Sequence, residues 1–305
     1  MNGMFWSNTI WYLLLLATSI AAVMVTARKS PDRKFTAVFG LAALGLTYWI
    51  EVMLVLVLDA YTYYPMLTPW DPFQDAVLGN IFSQVSVSTT AVLYCVLNLR
   101  SIFIPVFAVA YYLIDVLFVQ LGIYAHHWYQ SIYTLIGFIP YCWMIKKWYL
   151  WLTGVPNTPK LFRSLGLHDH NLKKWLLTGT LFLAIFAAAG NSLITTQKVA
   201  GLQIFHGGFF ADMSKDHTAT SLIYGPLLIV LMIALHRWKR PFAYKAGALL
   251  ILFACHCALY LCGILTTLLT GWCVIVALID LLGFYFWTVF LERLLSGSQL
   301  PYGFP

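Results

Sequence analysis

Apolar residues fall into nine long segments that short polar connections separate. The segments cover about residues 5–26, 36–58, 77–98, 102–124, 129–151, 174–195, 219–235, 246–266 and 272–291. Most of them approach the roughly 20 residues that an α-helix needs to cross about 30 Å of hydrocarbon. The pattern predicts an all-α, polytopic membrane helix bundle with about nine transmembrane helices.

The basic residues divide unevenly between the two sides of this predicted bundle. Of the 18 Lys and Arg residues, 16 fall on the side of the bundle where segments one, three, five, seven and nine end, and only Lys198 and Lys215 fall on the opposite side. Cytoplasmic loops retain basic residues, so we expect the N-terminus outside and the C-terminus in the cytoplasm. Anionic lipid headgroups account for the net charge of +7, and no nucleic-acid partner is expected.

Composition supports membrane insertion. The chain is 61% hydrophobic and only 10% charged, and its mean hydropathy is +0.80, which excludes an ordinary soluble core. All six cysteines lie within predicted helices. They indicate small buried side chains rather than a disulfide framework.

The connection at 153–173 is the longest on the predicted cytoplasmic side, and it contains Pro156 and Pro159. It predicts a linker between a first membrane unit, 1–152 (helices one to five), and a second, 174–305 (helices six to nine). Helices two to five and six to nine would have the same orientation, so the chain is compatible with one helix plus two parallel four-helix repeats. Aligning Gly122 with Gly263 places Asp115 opposite His256.

Three carboxyl groups lie within apolar segments, where a charge is costly and therefore points to function. They are Glu51, Asp115 and Asp280, and none has Lys or Arg at i±3 or i±4. Any charged partner must come from another helix. We take these three as candidate catalytic residues. The structural alternative is a buried, protonated carboxyl that holds helices together by hydrogen bonds.

Helix three has a polar stripe at four-residue spacing, formed by Asn80, Gln84 and Ser88. Amide side chains need several hydrogen-bond partners, so the stripe predicts a polar cavity rather than a lipid-facing surface. Asn191 lies at a similar depth. Small and hydroxylated residues also permit close helix packing, which is the alternative explanation for Ser88.

Aromatic residues flank the buried acids. Tyr48, Trp49, Tyr112 and Tyr285 lie close in sequence to them, and with His256 they complete the candidate substrate-binding set. Aromatic faces stabilise cations, and a neutral carboxylic acid in a dry pocket donates a proton. These components suit acid-catalysed cyclisation or isomerisation of an isoprenoid or another lipid.

The outer loop at 59–75 is rich in proline and aromatic residues. Its prolines lower the entropy lost on ordering, and its rings offer more apolar area than a solvated loop needs. We predict an ordered lid whose aromatic rings, Trp70 included, pack inward. The lid residues are Asp59, Tyr61, Tyr63, Pro65 and Asp71.

Histidine and aspartate residues also gather on the predicted outer face. The set comprises Asp59, Asp71, Asp75, Asp212, Asp216, His126, His127, His206 and His217. No ligand spacing typical of zinc or another transition metal occurs among them. We favour ordinary solvated loop residues, and expect no metal site and no cofactor.

Several motifs in the first half carry a resemblance. They are Asp59-Ala-Tyr61-Thr-Tyr63-Tyr64-Pro65, Asp71-Pro72, Gly122-Ile123-Tyr124, His127-Trp128, Tyr133-Thr134-Leu135-Ile136-Gly137 and Trp148-Tyr149. Over residues 1–152 the chain resembles uncharacterised multipass membrane proteins of spore-forming Firmicutes. The resemblance implies a bacterial plasma membrane and residues 1–152 as one unit, and it implies no activity.

A fainter resemblance concerns Glu51 and Asp280. Integral-membrane terpene cyclases carry a Glu in a Trp-Glu context on an early helix and an Asp on the last helix. Here Trp49-Ile50-Glu51 has one inserted residue, and nine helices exceed the number in those enzymes.

Three functional hypotheses follow. The first is a membrane-embedded enzyme acting on a hydrophobic small-molecule or lipid substrate through intramembrane carboxylic acids. The alternative is a proton- or cation-coupled small-molecule transporter, and the second alternative is a receptor or assembly scaffold that docks through the outer loop. The sequence specifies neither a substrate nor an oligomeric state.

Overall fold

The computed structural model describes residues 5–154, 169–191, 198, 200–267 and 271–298. Within these ranges the chain forms nine α-helices and four short strands. In order they are α1 (Ile10–Lys29), α2 (Arg33–Val52), β1 (Tyr61–Tyr63), α3 (Pro72–Val96), α4 (Phe103–Gln120), β2 (Tyr124–His126), α5 (Ser131–Thr153), α6 (Asp169–Ile185), β3 (Gln203–Phe205), α7 (Met213–Arg237), α8 (Phe242–Leu261), β4 (Leu265–Thr267) and α9 (Trp272–Ser296). The predicted all-α helix bundle is confirmed.

Eight helical segments of the described chain are long and apolar enough to cross a membrane. The protein is therefore a multipass membrane protein. The remaining helix, α5, has 23 residues but carries Lys146, Lys147 and many Trp and Tyr residues, which lower its hydropathy. Of the nine predicted spans, the fifth thus forms a helix without reaching the apolarity of the others.

Helix ends follow local capping chemistry. The side chains of Asp32 and Asp71 accept hydrogen bonds from the third backbone amide beyond each of them, at the starts of α2 and α3. Asp212 does the same at the start of α7. These bonds satisfy amides that the first turn of a helix leaves without partners. Gly154 ends α5 with a φ of 103°, a conformation that glycine adopts without strain.

Two helices continue into π-helical turns. Met53–Val57 extends α2, and Phe186–Asn191 extends α6. A third π-helical turn, Phe5–Thr9, precedes α1. The turn after α2 leads directly into the loop that carries β1.

The strands pair in two antiparallel ladders of three residues each. Tyr61 pairs with His126 in β1–β2, and Gln203 pairs with Thr267 in β3–β4. Each ladder joins the loop before one helix to the chain immediately after a later helix. The sequence pattern did not predict these strands.

The chain divides into two compact units. Unit 1 comprises Met1–Thr180 and Leu295–Pro305, and unit 2 comprises Leu181–Leu294. The boundary falls within α6. The predicted linker at 153–173 lies largely outside the described residues, so the division at 152 and 174 stays a prediction.

The same order of elements occurs twice. A helix with a π-helical end, a strand, two helices, a strand and a final helix follow one another from α2 to α5 and again from α6 to α9. Gly122 and Gly263 end the corresponding helices α4 and α8 with φ of 70° and 74°. This order supports the hypothesis of two four-helix repeats after α1, whose orientation in the membrane stays a prediction.

Candidate binding cavity

Unit 1 encloses a cavity of about 200 Å³ bordered by helices α1 to α5 and both of its strands. Glu51 and Asp115, two of the acids singled out from the sequence, both line it. The other lining residues are mainly aromatic and aliphatic: Tyr12, Leu15, Thr47, Ile50, Leu54, Tyr61, Tyr63, Ser83, Val87, Tyr111, Ile114, Phe118, Tyr124, Tyr129, Tyr133, Thr134, Gly137, Phe138 and Tyr141.

Glu51 lies on the last regular turn of α2, just before the π-helical segment. The Tyr61 hydroxyl donates a hydrogen bond of 2.9 Å to Glu51 Oε2. Tyr61 itself is buried, whereas Glu51 is half-buried where it borders the cavity. The carboxyl group is thus held from the strand side and available to a ligand.

Asp115 is held more firmly. Ser131 Oγ donates to its Oδ1 at 2.5 Å, and Thr134 Oγ1 donates to its Oδ2 at 2.7 Å. His126 Nε2 lies 3.2 Å from Oδ1, close enough for an ion pair when the imidazole is protonated. Because both oxygens accept hydrogen bonds from α5, Asp115 connects α4 to α5. Its carboxyl group is therefore held in a fixed position in the cavity wall.

A cluster of tyrosine rings covers the strand side of the cavity. The Tyr61 ring centroid lies 5.0 Å from Tyr129 and 5.2 Å from Tyr124. Tyr63 stacks on Tyr124 at 4.5 Å. Such edge and stacked pairs add to the stabilisation from burial.

These ring hydroxyls remain protonated at physiological pH. Burial raises the pKa of Tyr129 to about 12. Burial also raises the pKa of Tyr61 well above its usual value, and the neighbouring Glu51 raises it further. The hydroxyls therefore act as neutral donors, and Tyr61 supplies its proton to the hydrogen bond with Glu51.

Hydroxyl pairs close the end of the cavity that lies away from the strands. Thr47 Oγ1 and Tyr141 Oη are 2.7 Å apart and join α2 to α5. Tyr111 Oη lies 2.8 Å from Ser86 Oγ and 2.9 Å from Thr90 Oγ1, which joins α4 to α3. Polar atoms at this end are thus paired with each other.

The loop over the cavity is held at its centre. Asn8 Nδ2 donates to the Tyr64 carbonyl, and Thr9 Oγ1 donates to the Pro65 carbonyl, each at 2.7 Å. A Cβ on Gly79 would lie 2.6 Å from the Cβ of Tyr63. Glycine at this position of α3 therefore lets the loop approach closely.

Aspartates fix both ends of the same loop. Asp75 is buried and accepts backbone hydrogen bonds from Met66, Leu67 and Thr68 at 3.0, 2.7 and 2.7 Å. Near the start of the loop, His127 Nδ1 lies 3.2 Å from Asp59 Oδ2. Hydrogen bonds and packing thus hold the segment from Asp59 to Asp75 in place.

The aromatic side chains of the loop do not all face inward as predicted. Tyr61 and Tyr63 are buried, but Trp70 is 78% exposed, so the prediction is wrong for Trp70. It lies directly before the capping Asp71, where the chain turns into α3 at the edge of unit 1. An exposed indole at this position is typical of a membrane-interface residue.

The cavity reaches the exposed surface between α2 and α5. Ile50 and Tyr133 line it, yet they are 43% and 41% exposed. Farther along the same two helices, Phe39 packs against Trp148 and Tyr149 with ring centroids 5.1 and 5.3 Å apart. The helices are therefore joined at one end, whereas lining residues nearer the other end are partly exposed.

The predicted polar stripe on α3 does not line this cavity; Ser83 and Val87 do. Side chains advance about 100° per residue around a helix, so one position changes the direction of a side chain substantially. Asn80 and Gln84 are buried elsewhere in unit 1, and Asn80 Oδ1 and both polar atoms of Gln84 lack hydrogen-bond partners within the described residues. Ser88 borders a separate groove.

The predicted substrate-binding aromatics of unit 1 also lie outside the cavity wall. Tyr48 is buried, and Trp49 and Tyr112 are half-buried, but the wall is built instead from their neighbours Thr47 and Tyr111. The sequence placed aromatic residues near the acids correctly and did not resolve which side of the helix they occupy.

Three other candidates belong to unit 2. Gln203 Nε2 donates to Asp280 Oδ2 at 3.2 Å, and Tyr224 Oη lies 2.8 Å from His256 Nδ1. Asp280 and His256 are buried. The Tyr285 ring contacts His236, with ring centroids 6.1 Å apart. The side chain of Asn191 lies outside the described residues.

The roles of two buried aspartates were not predicted from the sequence. Asp216 in unit 2 accepts backbone hydrogen bonds from Gly208, Phe209 and Phe210 at 3.2, 2.7 and 3.3 Å, as Asp75 does in unit 1. Both are buried, so the interpretation of these two as solvated loop residues was wrong. A repeated signal was present, because an Asp-x-x-x-Asp motif precedes the Gly-Ile pair at equal intervals in both halves.

Within the described ranges, no three or more His, Cys, Asp or Glu side chains converge on a point that would hold a metal ion. The acids of the cavity instead face aromatic rings and hydroxyl groups. Chemically, the site combines two carboxyl groups with polarisable ring faces in a small volume.

Fold and site together define a multipass helical membrane protein with an acidic, tyrosine-lined cavity in its N-terminal unit. No protein-family model matches the chain, and neither a curated protein nor a solved structure matches it.

Proposed function

We propose that unit 1 binds a small organic cation within the membrane and that the protein belongs to the transporter class. The observation that carries this proposal is the presence of Glu51 and Asp115 in one cavity walled by eight tyrosines. Ionisable residues within membrane helices commonly mark substrate or ion pathways. Aromatic cages with a nearby carboxylate recognise quaternary ammonium groups through cation–π attraction.

The two acids have different parts in this proposal. Asp115 has both oxygens engaged by hydroxyl groups and supplies a fixed negative potential. Glu51 accepts one hydrogen bond from Tyr61 on a single oxygen and borders the cavity. Glu51 is therefore the group that pairs with the cation and takes up a proton when the cation leaves.

Cavity size favours a small ligand over the isoprenoid chain of the enzyme hypothesis. A volume of about 200 Å³ is below the roughly 300–1,000 Å³ of pockets for drug-sized molecules. Asp280, the second acid of that hypothesis, is not among the residues that line this cavity. Tyr61 and Tyr63 of the outer loop pack inward and so do not contribute to the outward docking surface that the receptor hypothesis required.

In this proposal the ligand enters the cavity from the side of unit 1, between α2 and α5. The loop over the cavity is fastened by Asn8, Thr9 and Asp75, whereas the gap between α2 and α5 leaves Ile50 and Tyr133 exposed. A ligand that partitions into the headgroup region enters through this gap. The arrangement suits an amphiphilic amine better than a strongly hydrated metal ion.

The test compares choline with its neutral isostere, 3,3-dimethylbutan-1-ol, on the purified full chain. A ligand at one hundred times its Kd stabilises the folded state by about 2.7 kcal/mol. We expect choline to raise the unfolding temperature and the neutral alcohol to leave it unchanged. Glu51→Gln should lower choline affinity at least tenfold, because it keeps the shape of the side chain and removes the charge.

Asp59→Asn is the matched control, since Asp59 is largely exposed on the loop and its substitution should leave choline affinity unchanged. Equal stabilisation by choline and the alcohol would contradict a cation site and favour an apolar substrate. Uptake of labelled choline into proteoliposomes under a pH gradient then separates transport from binding alone. An uptake signal equal in wild type and Glu51→Gln would contradict the proposed role of Glu51.

A further inference from the structure

A second cavity lies elsewhere in unit 1, between α1, α2 and α3. Its volume is about 370 Å³, and we refer to it as the α1–α3 groove. The wall is mostly apolar, and few of its residues are polar. The lining residues are Val23, Thr26, Ala27, Arg33, Thr36, Ala37, Gly40, Leu41, Leu44, Val85, Ser88, Thr89 and Val92.

Positive charge gathers at one end of this groove. Arg33 lines it at the start of α2, with Arg28 and Lys29 in the last turn of α1 and Lys34 directly after Arg33. Asp32 is the acid of this turn, and its carboxylate caps α2 by accepting from the Phe35 amide. The mouth of the groove is therefore basic, and its interior is apolar.

Thr26 adds an unsatisfied polar group to the wall. Its side chain is buried, and its Oγ1 has no hydrogen-bond partner among the described residues. Helical hydroxyl groups usually bond to the carbonyl four residues earlier, as Ser19, Thr47 and Thr180 do here. Thr26 is also one of the residues that line the groove.

The other hydroxyl groups along the groove are already engaged. Thr36 Oγ1 lies 2.7 Å from Ser30 Oγ, and Ser88 and Thr89 donate to the Val85 carbonyl. In the part of the chain that the structure describes, the Thr26 hydroxyl is buried without a hydrogen-bond partner, and Arg33 is exposed where it lines the groove. A hydroxyl group and a guanidinium together suit a ligand that has a hydrogen-bond-accepting oxygen and a negative charge.

We propose that the α1–α3 groove holds one acyl chain of an anionic phospholipid, with its phosphate at Arg33 and an ester carbonyl at Thr26. Thr26 lies one helical turn from the end of α1 at Lys29, which corresponds to a rise of about 5 Å. The ester group of a phospholipid lies at a similar depth below its headgroup. Val23, Leu41, Leu44 and Val85 then contact the chain.

This site is independent of the proposed cation cavity. Neither Arg33 nor Thr26 lines that cavity, and neither Glu51 nor Asp115 lines the groove. Loss of lipid binding and loss of choline binding are therefore separable outcomes.

Native mass spectrometry of the full chain tests the proposal. The probes are phosphatidylglycerol and phosphatidylcholine with identical acyl chains, offered together in equal amounts. We expect one retained phosphatidylglycerol at least tenfold more often than phosphatidylcholine. Arg33→Gln should reduce this preference at least fivefold, because it removes the charge at the mouth, and Thr26→Val should weaken retention of both lipids.

Gly40→Leu tests the chain-binding part. A Cβ at Gly40 would meet no atom within 4 Å, so a leucine fills the groove and should prevent retention of the chain. Gly247→Leu is the matched control, since Gly247 also has open space within 4 Å and lies on α8. Lys239→Gln is the control for charge in a different basic turn, and both controls should retain phosphatidylglycerol as wild type does.

Equal retention of the two lipids, or an unchanged preference in Arg33→Gln, would overturn the proposal, as would normal retention in Gly40→Leu. Glycerol 3-phosphate distinguishes a lipid from a free phosphate. If this chain-free headgroup displaces the retained lipid at millimolar concentration, the groove binds phosphate alone, and the acyl-chain assignment is wrong.

Discussion

Units 1 and 2 share one loop architecture and differ in the chemistry at corresponding positions. In both units, the residue directly after the first strand donates a backbone hydrogen bond to the residue before the second strand. Tyr64 N donates to the Ile123 carbonyl, and His206 N donates to the Ile264 carbonyl. The buried aspartates Asp75 and Asp216 each accept hydrogen bonds from three consecutive loop amides. These shared bonds fix the backbone without reference to any ligand.

The polar residues inside the two units are different. Asp115 of unit 1 corresponds to His256 of unit 2, and Tyr61 at the start of β1 corresponds to Gln203 at the start of β3. Unit 1 therefore gathers two acids and phenols, whereas unit 2 pairs an acid with an amide and a phenol with an imidazole. In this fold, the residues that anchor the loops are therefore kept while the polar residues inside each unit change.

The largest expected effect tests whether the loop anchors are equivalent. Asp75→Ala and Asp216→Ala each remove a buried carboxylate from three backbone amides, which should cost about 3 kcal/mol. Chemical unfolding in detergent measures this loss. Asp59→Asn, at a largely exposed ion pair, is the control and should cost under about 1 kcal/mol, because asparagine also tolerates the positive φ of this position. A large loss of stability in only one of the two variants would show that Asp75 and Asp216 are not equivalent anchors.

An intermediate effect tests the difference in chemistry. Asp115→Asn removes the fixed negative charge beside the cavity, so choline affinity should fall about tenfold, or about 1.4 kcal/mol. His256→Asn at the corresponding position should leave choline affinity unchanged, although it breaks the bond with Tyr224. Calorimetric titration of both variants measures the contrast. Equal losses would show that the cation site is not confined to unit 1.

The smallest expected effect concerns the turns at Gly122 and Gly263. Both have positive φ, and a Cβ at either position would meet no atom within 4 Å, so Gly→Ala should cost only the backbone strain, about 1 kcal/mol in either unit. Thermal unfolding detects this change. Gly137→Ala, within α5, is the control and should be neutral or slightly stabilising. A cost at Gly122 without one at Gly263 would show that the two turns are not equivalent.

The long helices of the fold were predictable because each depends only on the length and composition of its own segment. Each apolar segment is long enough to reveal a span without knowledge of its neighbours, and the predicted helices agree with the nine found in the described ranges. Glu51 and Asp115 were identified for a similar reason, since an acid in an apolar segment is conspicuous. Their meeting in one cavity required the structure, because they lie on different helices.

Shorter features were not predictable. A strand of three residues is too short for an alternating pattern, and the partner of Tyr61 is His126, in a distant part of the chain. Ser83 lines the cavity and Gln84 does not. Which of them does so depends on how α3 is rotated in the bundle. Asp75 and Asp216 resembled surface acids because the amides that bury them belong to a loop without any pattern of its own.

The π-helical turn at Met53–Val57 has a consequence for insertions and deletions. A π turn holds one more residue than an α turn, so it absorbs the removal of that residue. A deletion of one residue there restores a regular turn and leaves the following chain close to its present orientation, so Tyr61 keeps its hydrogen bond to Glu51. A second deletion has no extra residue to remove and rotates the following chain by about 100°. It therefore separates Tyr61 from Glu51 although no residue of the cavity is substituted.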